Sequence, residues 1–159
     1  MDKIVFITGA SSGIGAGCAR KFASQGASLI LNARNVNKLS ALKEELEKQY
    51  GAKIYLLPFD VRDRKAATSA LESLPKEWQS IDILVNNAGL VIGTDKEQEG
   101  SLDEWDIVID TNIKALLAMT RLIVPGMVER KRGHIINIGS IAGDAAYPGG
   151  SVYCATKDA

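Results

Sequence analysis

Residues 4–15 read Ile-Val-Phe-Ile-Thr-Gly-Ala-Ser-Ser-Gly-Ile-Gly, an apolar run that passes directly into a glycine-rich turn. Such a run, bounded by a turn, is typical of a strand buried on both faces, and we predict a strand over residues 4–8. A helical pattern follows over residues 13–25 and stops at Gly26. The glycines allow a tight turn, and a helix N-terminus presents free N–H groups to an anion. This stretch therefore predicts a strand–turn–helix unit suited to a pyrophosphate.

The alternation of short apolar runs with amphipathic stretches continues along the chain. We predict strands at residues 28–33, 53–59, 81–85 and 133–138, and helices at residues 36–50, 64–74 and 109–130, the last kinked at Pro125. A polar loop is expected over residues 91–100, followed by a capping box at Ser101 and Glu104. Strands and helices in this order predict an α/β fold, a Rossmann-like doubly wound parallel sheet with helices on both faces. Ligands of such sheets bind beyond the carboxyl ends of the strands.

Composition narrows the class of protein. The 159 residues include 19 Lys and Arg and 19 Asp and Glu, so no basic excess exists to neutralise phosphates and we expect no nucleic-acid partner. No apolar run is long enough to cross a bilayer, and we expect no membrane partner. The two cysteines, Cys18 and Cys154, form no metal-binding pattern. We therefore expect a cytoplasmic protein without a metal.

The glycine-rich turn has the spacing Gly-x-x-x-Gly-x-Gly. Gly9 suits the tight turn, Gly13 a close approach of pyrophosphate, and Gly15 close packing of helix on strand. The cofactor-binding residues predicted here are Gly9, Ala10, Ser11, Ser12, Gly13, Ile14 and Gly15. A purely structural glycine turn is the alternative.

The end of the second predicted strand, residues 32–35, reads Asn-Ala-Arg-Asn. NAD-binding sheets place a carboxylate here for the ribose hydroxyls, and this chain has none. Arg34 suits a 2′-phosphate through charge-assisted contacts, so we predict that Arg34 and Asn35 bind NADP. The alternative is that Arg34 is a solvated residue at the start of a helix.

Two further strand ends carry polar residues. Asp60 and Val61 follow the third strand, where a carboxylate can accept from an adenine amino group or cap the next helix. Asn87, Ala88 and Gly89 follow the fourth strand, at the edge of the sheet where ligands bind. A purely structural turn is the competing interpretation of this segment.

A candidate catalytic group follows the fifth strand. Ser140 is followed by Tyr153 and Lys157, which lie four residues apart and share one face if helical. A nearby ammonium favours the tyrosinate form, and a serine hydroxyl can hold a carbonyl or alcohol oxygen. Tyr-x-x-x-Lys alone is a weak motif, but Ser140 and the nucleotide-binding pattern make it specific.

Taken together, residues 8–15, residues 86–89, Asn112, Ser140 and residues 153–157 resemble the short-chain dehydrogenase/reductase family over the whole chain. Three further stretches resemble its branch of NADP-dependent 3-hydroxy acid dehydrogenases, which act on serine and small 3-hydroxy acids. These stretches are residues 82–90, 125–130 and 133–140.

The resemblance implies a role for each matching residue. Tyr153 would exchange the proton, Ser140 would hold the substrate oxygen, and Lys157 would bind the nicotinamide ribose. Asn112 would hold a water that links Lys157 to solvent. Asn87, Ala88 and Gly89 would line the ribose side of the cofactor. Ser140 and Tyr153 would thus contact a small-molecule substrate, and Tyr153 and Lys157 would also contact NADP.

Members of the family continue beyond the segment that matches Lys157. We therefore expect residues 1–159 to be a single dinucleotide-binding domain, the N-terminal portion of a longer one-domain oxidoreductase, and a product ending at Ala159 to be a poor enzyme. The resemblance also implies a homo-oligomer, a dimer or tetramer. Two alternatives remain open: a reductase for a steroid, sugar or acyl thioester, and a non-catalytic NADP-binding sensor.

Overall fold

A computed structural model describes residues 1–11, 13–90 and 97–159 of the chain. The strands are β1 (Ile4–Ile7), β2 (Ser28–Leu31), β3 (Ile54–Leu56), β4 (Ile83–Asn86) and β5 (His134–Asn137). The α-helices are α1 (Gly13–Ser24), α2 (Val36–Tyr50), α3 (Arg64–Glu72), α4 (Leu102–Ile109), α5 (Ala115–Arg130) and α6 (Ser151–Asp158).

The strands form one parallel sheet in the order β3-β2-β1-β4-β5. Val5 pairs with Leu29 on one side and with Ile83 on the other, which places β1 at the centre of the sheet. The order reverses direction at β1, because β2 and β3 lie to one side of it and β4 and β5 to the other. In a doubly wound sheet this switch point opens a crevice at the carboxyl ends.

Helices cover both faces of the sheet, and each face has its own apolar core. On one face Val5, Ile7 and Leu29 pack with residues of α1 and α2. On the other, Phe6 and Ile30 pack with residues of α3 and α5. Neighbouring residues of a strand point to opposite faces, so strands that read as continuous apolar runs supply both cores. The predicted doubly wound α/β fold is confirmed.

The largest departure from the predicted elements is the helix expected over residues 109–130. Helix begins earlier, at Leu102, where Ser101 accepts a hydrogen bond from the Glu104 N–H at 3.4 Å. A π-helical segment, Asp110–Lys114, then separates α4 from α5. Pro125 lies within α5 without ending it. The prediction omitted residues 102–108 and the π-helical segment, because both depend on packing that a periodicity does not record.

The predicted polar loop over residues 91–100 contains a single 3-10 turn, Glu97–Glu99, and its residues 91–96 lie outside the described ones. The other strands and helices fall inside or close to the predicted bounds, with β3 the most shortened. Within the described parts of the chain, no helix combines the length and the apolar character needed to cross a bilayer.

Candidate active site

A cleft of about 570 Å³ lies at the carboxyl ends of the strands. It brings together residues far apart in the sequence, because parallel strands deliver the segments that follow them to one edge of the sheet. The predicted site residues that line it are Gly9, Ser11, Ile14, Arg34, Asp60, Val61, Asn87, Ala88, Gly89, Ser140, Tyr153 and Lys157. Ala10, Gly13, Gly15, Asn35 and Asn112 are not among its lining residues, and Ser12 lies outside the described part of the chain.

The glycine turn is held in place by the segment that follows β4. The Thr8 hydroxyl oxygen accepts hydrogen bonds from the N–H groups of Asn87 and Ala88, at 3.0 and 2.9 Å. In return, the Asn87 side-chain amide donates to the Gly9 carbonyl oxygen at 2.9 Å. The Asn87 side chain thus stabilises the glycine turn. For its amide group, the structural interpretation of residues 86–89 is the correct one. Thr8 was not among the predicted site residues.

Close contacts explain two of the glycines. Gly9 has φ +61°, and a Cβ there would approach the Ala88 Cα to 2.9 Å. A Cβ on Gly15 would collide with the Gly9 carbonyl oxygen, so this glycine permits the close approach of α1 that was predicted. Gly13 has φ +58° and faces open space, with nothing within 4 Å of the position of a Cβ. The turn therefore leaves room over the N-terminus of α1, where free N–H groups attract an anion.

Arg34 and its neighbour Asn35 have different surroundings. Arg34 is exposed and lines the cleft at the end of β2. The Asn35 side chain instead caps α2, accepting a hydrogen bond from the Lys38 N–H at 3.0 Å. Its side-chain oxygen is thus committed to the helix end, which is a structural role that the prediction did not assign.

Asp60 is held by Arg62, two residues further along. Its carboxylate accepts from the Arg62 N–H at 2.9 Å and forms an ion pair with the Arg62 guanidinium at 2.9 Å. The hydrogen bonds from Arg62 hold the pKa of Asp60 below its usual range, against the opposing effect of burial, and the charge of Arg34 lowers this pKa further. Asp60 therefore remains a carboxylate at neutral pH.

The alternative in which Asp60 caps the next helix is wrong. Asp63 caps α3, accepting from the Ala66 N–H at 3.0 Å. Arg62, which also lines the cleft, was not predicted as a site residue. The only sequence signal for Arg62 is its position, two residues after Asp60 at the end of a strand.

The predicted catalytic residues come from the segment after β5 and from α6. Ser140 follows β5, and its Oγ accepts from the Ala142 N–H at 3.1 Å. Tyr153 and Lys157 lie on α6 and are half-buried at the wall of the cleft. The Lys157 Nζ donates to the Ile138 carbonyl oxygen at 3.2 Å. All three side chains line the one cleft that also contains Arg34.

Asn112 lies behind the cleft, in the π-helical segment, and is buried. Its Nδ2 donates to the Leu90 carbonyl oxygen and to the Thr156 hydroxyl, both at 3.0 Å, and its Oδ1 accepts from the Leu90 N–H at 2.9 Å. A Cβ on Gly89 would lie 3.1 Å from the Asn112 Oδ1 and 3.3 Å from the Lys157 Nζ, so Asn112 and Lys157 face the same small space. The side chain of Asn112 thus forms hydrogen bonds with both the N–H and the C=O of Leu90. Its water-holding role stays a prediction.

Within the described residues, no three His, Cys, Asp or Glu side chains gather as a set of metal ligands. The polar groups of the cleft include a glycine turn, arginine and lysine cations and hydroxyls, together with the Asp60 carboxylate. These groups suit a phosphate-bearing ligand and a proton transfer.

Comparison with known proteins agrees with this arrangement. The sequence profile of the short chain dehydrogenase family matches residues 3–159. The chain belongs to that family. The fold and family predicted from the sequence are therefore both confirmed.

Two curated members of the short chain dehydrogenase family are closely similar in sequence. The NADP-dependent 3-hydroxy acid dehydrogenase of Escherichia coli O6:H1 is 50% identical over 154 residues, which are 97% of this chain and 60% of that protein. The protein of the same name from Schizosaccharomyces pombe is 45% identical over 158 residues, 99% of this chain and 61% of that protein. The chain thus spans about three-fifths of the length of these curated relatives.

Solved structures of the family are similar as well. A serine dehydrogenase from Escherichia coli matches with a TM-score of 0.91 and 50% identity, over 98% of this chain and 70% of that one. The closed form of a serine dehydrogenase complexed with NADP+ matches with a TM-score of 0.90 and 48% identity, over 98% of this chain and 61% of that one.

Proposed function

We propose that this chain supplies the cofactor site and the proton-transfer residues of an NADP-dependent oxidoreductase that acts on small 3-hydroxy acids or their carbonyl forms. One observation carries the proposal: a single cleft is lined by the glycine turn and Arg34 and also by Ser140, Tyr153 and Lys157. The names of the similar proteins, NADP-dependent 3-hydroxy acid dehydrogenase and serine dehydrogenase, support both the cofactor and the substrate class.

The residues present fit a dinucleotide phosphate. A Cβ at Gly9 or Gly15 would fill the turn, while the space over Gly13 is open for a pyrophosphate. Arg34 supplies a cation where NAD-binding sheets carry an acid, which suits a 2′-phosphate. Asp60, kept ionised by Arg62, is an acceptor for an adenine amino group. Bound NADP(H) would supply the hydride chemistry of the reaction.

Tyr153 and Ser140 have different roles at the substrate oxygen. In reduction the Tyr153 hydroxyl donates its proton to the carbonyl oxygen, and in oxidation it accepts the alcohol proton. The Ser140 Oγ accepts a hydrogen bond from the Ala142 N–H, which leaves its own proton free to donate to the substrate oxygen. A donor placed where negative charge develops stabilises the transition state.

Lys157 contributes charge and hydrogen-bond donors. Its ammonium group has three N–H donors, and one is used by the Ile138 carbonyl oxygen at 3.2 Å. The remaining donors are available for the ribose hydroxyls on the nicotinamide side of the cofactor and for acceptors near Tyr153.

We further propose that the protein is a homo-oligomer of a single-domain cytoplasmic enzyme. The exposed apolar side chains of Leu117 and Val128 on α5 support a helix-to-helix interface.

The deciding experiment measures NADPH formation by the full-length protein with serine, allo-threonine or 3-hydroxypropionate as substrate. We expect turnover with NADP+ and these 3-hydroxy acids and much less with 2-hydroxy acids. Tyr153→Phe should lower turnover by about a thousandfold or more, since a positioned proton donor contributes about a hundredfold to ten-thousandfold. The NADPH dissociation constant should change little. Substantial residual turnover in Tyr153→Phe would remove this residue from the proton-transfer step.

A further inference from the structure

A chain of hydrogen bonds links the catalytic helix to the π-helical segment. The Thr156 hydroxyl donates to the Tyr153 carbonyl oxygen at 2.8 Å and accepts from the Asn112 Nδ2 at 3.0 Å. The Asn112 amide in turn holds both the N–H and the C=O of Leu90. Three segments near the cleft are therefore joined by two side chains, the Asn112 amide and the Thr156 hydroxyl.

The two side chains that join these segments, Thr156 and Asn112, are shielded from water. Thr156 is 5% exposed and Asn112 is 6% exposed, so solvent cannot replace a lost partner easily. Asn112 uses both N–H donors of its amide and one acceptor site of its oxygen. The hydroxyl proton of Thr156 is directed to Tyr153, which leaves its oxygen free to accept from Asn112. The orientation of each group follows from its neighbour.

Thr156 lies between the two residues of α6 that line the cleft. Tyr153 and Lys157 are half-buried at its wall, whereas Thr156 is turned into the protein. A hydrogen bond from Asn112 to Thr156 therefore fixes how far α6 is rotated about its axis. That rotation sets where Tyr153 and Lys157 stand in the cleft.

We infer that Thr156 is a positioning residue, which holds the face of α6 carrying Tyr153 and Lys157 against the cleft through the Asn112 amide. The inference rests on the proposed function, since it assigns proton transfer to these two side chains. Thr156 itself does not line the cleft.

Two substitutions separate the hydroxyl from the shape of the side chain. Thr156→Val keeps the branched shape but removes both hydrogen bonds, so one N–H of the buried Asn112 amide loses its partner. Thr156→Ser keeps the hydroxyl and removes only a methyl group. If the hydroxyl positions α6, Ser should restore what Val loses.

The chain offers a matched control in Thr120 on α5. Its hydroxyl donates to the Leu116 carbonyl oxygen at 2.8 Å and accepts from the Asn86 Nδ2 at 3.1 Å, the same pattern as at Thr156. Thr120 does not line the cleft. Thr120→Val should therefore affect the stability of the fold without moving Tyr153 or Lys157.

The test compares steady-state kinetics of the four full-length proteins. We expect Thr156→Val to lower kcat by about tenfold to a hundredfold with KM changed much less, since small misplacements of reacting groups have effects of this size. Thr156→Ser and Thr120→Val should keep the kcat of the parent protein.

Three kinetic results would overturn the inference: an unchanged kcat in Thr156→Val, an equal loss in Thr156→Ser, or an equal loss in Thr120→Val. Amide hydrogen exchange of residues 151–158 provides a readout that does not need turnover. Faster exchange there in Thr156→Val, but not in Thr156→Ser, supports the inference even if the parent protein oxidises no 3-hydroxy acid. Equal exchange in both variants overturns it, whereas absent turnover in the parent would contradict only the proposed function.

Discussion

At the scale of single residues, side chains that are adjacent in the sequence have different surroundings at the cleft. Arg34 is exposed in the cleft while Asn35 is used to cap α2. The Asn87 side-chain amide donates to the Gly9 carbonyl oxygen, whereas Ala88 contributes only its backbone N–H, to the Thr8 hydroxyl. A residue type at a strand end therefore indicates which groups are available, and the direction of the side chain decides which of them face a ligand.

Arg34 provides the first prediction. Arg34→Asp should weaken NADPH binding at least about tenfold, since a charge-assisted hydrogen bond contributes about 1.5–3 kcal/mol. NADH binding should change far less, because NADH lacks the 2′-phosphate. Dissociation constants from fluorescence titration would check this. Arg64→Asp is the control, since Arg64 is exposed on α3 and does not line the cleft. Equal weakening for both cofactors in Arg34→Asp would contradict the assignment.

At the scale of elements, local signals were sufficient where caps and turns are encoded in neighbouring residues. Helix α2 has the predicted bounds at both ends, because Asn35 caps its start and Gly51 adopts φ +63° at its end. The π-helical segment was not predicted, since it depends on Asn112 reaching Leu90 across the fold. The Asp60–Arg62 pair was also missed, because a pair two residues apart forms only in a particular turn.

The turn between β3 and α3 provides a prediction on pH. The pKa of Asp60 is lowered in the folded protein, chiefly by hydrogen bonds from Arg62. Its stabilising contribution is therefore complete above the unfolded-state pKa of about 3.9, and is lost as the pH falls through the lower folded-state value. We expect Asp60→Asn to lower the free energy of unfolding by about 0.5–1 kcal/mol near pH 7, a modest amount since the pair is partly solvated.

Urea denaturation of the parent protein and of Asp60→Asn, from about pH 7 down to about pH 3, would measure this difference. The difference should shrink once the pH is below about 4. Glu45→Gln is the control, because Glu45 pairs with Arg20 on a more exposed surface. A difference that grows as the pH falls would contradict the assigned sign.

At the scale of the whole molecule, the carboxyl and amino ends of the strands have different roles. The carboxyl ends carry the cleft, and the amino ends are joined by Asp82. This buried carboxylate accepts from the Ile4 N–H at 2.9 Å and from the Arg132 Nε at 2.7 Å. It thereby connects the starts of β1, β4 and β5. The overall fold and the location of the cleft followed from the order of strands, whereas this connection between distant segments did not.

Arg132→Met should therefore destabilise the fold without affecting the cleft. The substitution leaves the Asp82 carboxylate buried with one partner fewer, and we expect the free energy of unfolding to fall by about 1–2 kcal/mol. The NADPH dissociation constant should stay the same, because the pair lies at the opposite end of the sheet. Urea denaturation with a fluorescence titration would test both parts. Arg121→Met, an exposed arginine on α5, should change neither quantity.

The π-helical segment Asp110–Lys114 affects which deletions the fold can tolerate. A π-helical turn accommodates one residue more than an α-helical turn, while the helices on either side keep their orientation. Loss of one codon within the segment would let α4 and α5 join as an ordinary helix, with Met119 and Ile123 still facing the sheet. We expect the fold to survive, with Asn112 turned away from Leu90 and Thr156. Under the proposed function, a single deletion would thus separate nucleotide binding from proton transfer.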